Sequence, residues 1–166
     1  MRQLPAILVL FPLLCAAQQT KATAPSKEEV SELLAKADEK VTAFEEALKQ
    51  VRPDLEEQQP EMFKNYLNAA AVAHTLIKSL RSNGPSAYAL VALITALDDV
   101  TLDASKTATM VLLTSNEGIK DARTQAKLTA LWSAQNALSD ISELIAHATL
   151  RLVQVEEDLL HKIARK

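Results

Sequence analysis

Residues 26–53 read SKEEVSELLAKADEKVTAFEEALKQVRP. Val30, Leu34, Ala37, Val41, Phe44, Leu48 and Val51 recur there at alternating steps of four and three. Two apolar positions in every seven make a helix with one narrow greasy face, which must be covered by other helices. The start is marked chemically. Ser26 with Glu29 forms an S-x-x-E capping box, in which each side chain satisfies an orphan amide of the other. Glu28 and Glu29 also suit the positive end of the helix dipole. Glu32 with Lys36 and Glu45 with Lys49 are i,i+4 pairs in the favourable order, expected on the wet face. Pro53 is expected to end this helix, with residues 53–59 forming an acidic loop or a short turn.

The same logic divides the rest of the chain. Glycine occurs only twice, at Gly84 and Gly118, and long stretches of good helix formers separate the strong breakers. Pro60 suits the first position of a second helix. Its predicted buried series is Phe63, Tyr66 or Leu67, Ala70, Ala73 or His74, Ile77 and Leu80. Asn83-Gly84-Pro85 stops it, with Gly84 free to turn left-handed. Ser86 caps a third helix. Residues 87–97 (AYALVALITAL) are apolar nearly all round apart from Thr95, which predicts a central, buried helix. The pattern then turns amphipathic through Val100, Ala104, Ala108, Val111 and Leu112, and Asn116-Glu117-Gly118 closes it.

A fourth helix is predicted from Ile119 to Ala164, without internal proline or glycine. Leu131, Ala134, Leu138, Ile141, Ile145, Ala148, Leu152, Val155 and Leu159 again step by three and four. About 45 residues make a rod of ~67 Å, roughly twice what the second helix covers. Either the rod breaks, near Ser133 to Asn136 or at Ser139, or its end protrudes. The fold class is therefore all-α, an antiparallel up-down-up-down four-helix bundle with a long C-terminal helix. Alanines on the seams (Ala37, Ala70, Ala134, Ala148) bring the helices close and leave little room for a cofactor.

The first residues follow a different pattern. Arg2, the apolar run Ala6 to Leu14 and the small residues Ala16 and Ala17 have the order of a secretory signal peptide. The run is too short to span a bilayer. Cleavage after Ala17, before Gln18, places Cys15 and Ala17 at the two small-residue positions of the site. A lipoprotein reading of Cys15 meets the bulky Leu14 just before it. The expected organisation is a signal peptide at 1–17, a polar tether at 18–25 and a bundle domain at 26–166. On that reading the sole cysteine leaves with the signal, and every thiolate chemistry goes with it. The chain carries a formal net charge of −3. Its basic residues are scattered and its aromatics scarce, so nucleic acid is not an expected partner.

No reactive constellation stands out. A di-iron bundle needs Glu-x-x-His on two helices, and the nearest match is Asp158-Leu-Leu-His161, once. Glu143 four before His147 suits an ion pair or a surface metal. Met62 with His161, or His74, could be imagined as haem ligands, but His74 is better read as a boundary histidine satisfied by a neighbour. There is no G-x-S-x-G elbow and no phosphate loop. Glu156, Glu157 and Asp158 read as a solvated face, and Trp132 as a packing anchor beside Leu131. No catalytic, cofactor or metal-ligating residue is assigned, and no cofactor is expected.

The expected function is that of an exported, non-enzymatic bundle, periplasmic or secreted. It would act on a protein partner or on itself through the fourth helix, with Ile141, Ile145, Leu152, Val155, Leu159 and Ile163 as the contact surface. A small-ligand or haem carrier and a membrane-surface bundle that exposes its third helix are the alternatives. Membrane contact is otherwise expected only if Cys15 carries a lipid.

Overall fold

The computed structural model describes residues 23–58, 60–114 and 122–165. Among them it contains four helices and no strand: α1 (Lys27–Gln58), α2 (Pro60–Asn83), α3 (Ala87–Thr114) and α4 (Ala122–Ala164). The leader, the Ala17–Gln18 junction, Cys15, most of the tether and the Asn116-Glu117-Gly118 closure lie outside the described residues, as does the predicted helix start at Ile119.

α1 follows its seam. All seven predicted positions, Val30 to Val51, are at most 3 % exposed, and Ala47 joins them. Ser26 caps the helix, its Oγ accepting from the Glu29 amide at 3.0 Å. The return half of the capping box is replaced, because the Glu29 carboxylate is engaged by Arg151 of α4. The helix also runs past Pro53 to Gln58. Proline's fixed φ of about −65° is compatible with a helix, and although Pro53 forfeits one backbone hydrogen bond and crowds the preceding turn, the helix continues. Residues 53–58 of the predicted acidic loop or turn are therefore helix.

α2 resolves its alternatives. Phe63, Tyr66, Ala70, Ala73, Ile77 and Leu80 are buried, whereas Leu67 and His74 sit at the edge of the core. Phe44 meets Tyr66 edge-on, with ring centroids 6.5 Å apart and planes at 79°, the geometry that aligns one ring's positive edge with the other's negative face. Gly84 ends α2 with φ +83°, a conformation that penalises any Cβ. Its amide donates to the Leu80 carbonyl at 3.0 Å. Ser86 then caps α3, accepting from the Ala89 amide at 3.2 Å.

α3 is not the fully enclosed helix that its composition suggests. Leu90, Leu93, Ala96, Leu97 and Val100 form one buried stripe, while Tyr88 is 87 % exposed and Val91 is also exposed. A helix in a bundle of four covers only the stripe facing its neighbours, so apolar residues beyond that arc meet water. Trp132 likewise is 42 % exposed rather than anchored in the core. Leu128 and Leu131 take the inward positions, and one residue further along a helix is rotated by about 100°.

α4 is continuous over 43 residues, about 65 Å, against about 36 Å for the 24 residues of α2. The principal packing contacts join α1 to α2, α2 to α3, α3 to α4 and α4 back to α1, around one core that includes Phe44, Tyr66, Leu97 and Ile145. Ala37, Ala70 and Ala148 are buried at the seams. Phe44→Ala should destabilise the fold by about 3–5 kcal/mol, because it removes transfer energy and leaves a cavity. Urea unfolding should show a lower midpoint at unchanged slope.

Candidate interaction surface

The predicted contact residues separate into three groups. Ile141 and Ile145 are 4 % and 1 % exposed and belong to the chain's own core. Leu152 and Val155 are half-buried. Leu159 and Ile163 are 52 % and 70 % exposed, and Leu160, between them, is 66 % exposed. From Glu156 onward every described side chain of α4 is exposed. The seam that builds the core thus continues along α4 after the core has stopped.

Polar ties mark where that change occurs. Ser142, buried on α4, donates to Asp98 Oδ1 of α3 at 3.0 Å. Thr149, also buried, returns its hydroxyl to the Ile145 carbonyl at 2.8 Å. Arg151 holds Glu29 at the start of α1. A buried polar group without a partner is costly. Among the described residues no buried side-chain nitrogen or oxygen lacks one.

A second polar cluster spans α1 and α2. His74 Nδ1 lies 2.7 Å from Asp38 Oδ1, and Nε2 lies 3.7 Å from Glu45 Oε2. Arg81 donates to Asp38 Oδ2 at 3.3 Å and to the Leu34 carbonyl at 3.2 Å. Glu45, expected beside Lys49 on the wet face, is therefore turned toward α2. Both His74 nitrogens face carboxylates, so an axial haem role would require these contacts to break. His74 is the boundary histidine satisfied by a neighbour that its phase suggests, whereas the identity of each partner depends on the register between two helices and is not visible in the sequence. The positions His74 and Asp38 carry no special spacing.

The remaining candidates lie apart. His147 Nε2 is 3.6 Å from Glu143 Oε1, both well exposed, and His161 is exposed near the end of α4. No group of three His, Cys, Asp or Glu among the described residues is placed to hold a metal ion. No described helix is long and apolar enough to cross a membrane. Open grooves lie along the outer face of α1, beside Asp38 and Thr42, and between Val30, Leu34, Leu80 and Pro85 at the end of the bundle. Comparison with protein families, with curated proteins and with solved structures yields no match.

The Asp38–Arg81 pair is partly exposed, with roughly two-fifths of each side chain in contact with solvent. Screening should limit its worth. A double-mutant cycle of Asp38→Asn and Arg81→Gln, read by urea unfolding, should give a coupling of no more than about 1 kcal/mol.

Proposed function

We propose that this chain is an exported, non-enzymatic helical bundle that acts through protein contacts made by the far end of α4. The single observation that carries this reading is the exposure of Leu159 and Ile163 on the continuation of a buried seam, with Leu160 exposed beside them. Scattered exposed leucines are ordinary on protein surfaces. Two of these large apolar side chains, Leu159 and Ile163, continue the core stripe, and Leu160, about 100° round the helix from Leu159, widens the apolar surface on one side.

The proposed topology is antiparallel, up-down-up-down. In support, the α2 partners of α1 occur in reverse order: Leu34 with Arg81, Asp38 with His74, Phe44 with Tyr66. α1 and α2 are separated by one residue and α2 and α3 by three, connections short enough to require reversal of direction. This topology locates the end of the bundle in two independent ways. Counting back from Asp98 to the start of α3 at Ala87, and forward equally from Ser142, reaches Val153. Counting from Glu29 back to Lys27, and from Arg151 forward, also reaches Val153. Residues 154–164 then form an overhang of about three turns, about 17 Å long.

Export rests on the charge, apolar run and small residues of positions 2–17. Cleavage after Ala17 would leave a short polar tether and the bundle.

A photo-crosslinking residue at Leu160, with Lys64 on α2 as a control position, tests the contact reading in the native compartment. Adducts should form at 160 and not at 64, and should be lost when Leu159→Glu and Ile163→Glu are added. Absence of adducts at 160, or equal yields at both positions, would refute it.

A further inference from the structure

We propose that the occupant of the α4 overhang is a second copy of this chain, laid antiparallel across residues 154–165. The inference rests on the reading of that segment as a contact surface and names its partner. Two features of the segment favour self-pairing over an unrelated protein.

The first is its charge order. Glu156, Glu157 and Asp158 form an acidic block, followed by His161, Lys162 and Arg165 as a basic one. With 3.6 residues per turn, Leu152, Val155, Leu159 and Ile163 share one stripe. Glu156 borders it on one side and Lys162 on the other, with Asp158 and Arg165 further round on the Lys162 side. Reversing one copy against another across a two-fold axis near Leu160 brings the acidic block of each beside the basic block of its partner. Parallel pairing would instead set like blocks side by side, which is repulsive.

The second is length. An overlap centred near Leu160 covers both overhangs together and leaves the two bundle bodies at opposite ends. Each copy presents the same patch to the other, so the contact is isologous and closes as a dimer rather than growing into a filament.

The contact is small. Three exposed apolar side chains per copy cannot approach the about 1,200–2,000 Å² buried by standard stable interfaces. The dimer is therefore weak, and its flanking charges make it weaker as salt rises.

Sedimentation equilibrium of the chain as its host produces it, at low salt and over a wide concentration range, tests this. The natural chain should show a monomer–dimer equilibrium. Changing only the acidic block, by Glu156→Lys, Glu157→Lys and Asp158→Lys, should weaken it about tenfold or more. Adding Lys162→Glu and Arg165→Glu to that variant inverts the whole pattern and should restore the original affinity. The inverted chain should not pair with the natural one. All these positions are exposed, and unchanged circular dichroism of each variant would verify that the bundle is intact. A chain that remains monomeric at every concentration overturns the proposal, as does an inverted chain that prefers the natural one, which would mean parallel pairing. If the chain is monomeric yet a crosslinker at Leu160 captures a different protein, self-pairing fails and the contact reading stands. If neither occurs, both fail.

Discussion

The structure depends on the seven-position seam of α1. Val30 to Val51 present a stripe that is unstable in water and narrow enough to be covered by two neighbouring helices. At about 25 cal/mol per Å² of apolar surface removed from water, burying that stripe is the dominant favourable term on α1. The stripe also dictates close approach, since Ala37 on α1 and Ala70 on α2 are both fully buried. Phe44 and Tyr66 fill the larger space further along. Polar groups at the margins then select the register. Asp38 with His74 and Arg81 sets α1 against α2, and Asp98 with Ser142 sets α3 against α4. Such ties add little net stability when partly exposed, but a shifted register would leave them without partners.

The same constraint gives the far end of α4 its character. A helix packed by a seven-residue repeat stays in phase for as long as the repeat lasts. In α4 the repeat outlasts the described helices beside it, so Leu159, two repeats after buried Ile145, is exposed, as is Ile163 one turn further on. Arg151, held by Glu29, stands near the boundary. In the proposed dimer, the charge order beyond it, acidic and then basic, would supply the selectivity that apolar contacts alone do not possess.

Much of this was legible in the sequence. The α1 seam was read residue for residue because a strict period leaves only one face to bury. On α2 the period allowed neighbours such as Tyr66 and Leu67 to compete, and only packing decides between them. Pro53 was misread because a proline forbids one hydrogen bond rather than a helical φ. The outer face of α3 was misread because composition reports how apolar a helix is, not how many neighbours it has; Tyr88 and Val91 are exposed for that reason. On α4, Ile141 and Ile145 share one pattern with Leu159 and Ile163, and sequence alone does not say where the neighbouring helices stop. The Asp38–His74–Arg81 cluster was illegible for a related reason, since its members are brought together only by the register of α1 on α2.

Native-state hydrogen exchange, resolved by residue on the dilute chain, is the most direct test of a seam that holds the bundle and then runs beyond it. The account predicts amides of Val30–Val51 and of residues 128–149 exchanging only through global unfolding, and amides of 156–164 exchanging orders of magnitude faster through local fraying. Uniform protection along the whole of α4, or rapid exchange along the α1 seam, would contradict it.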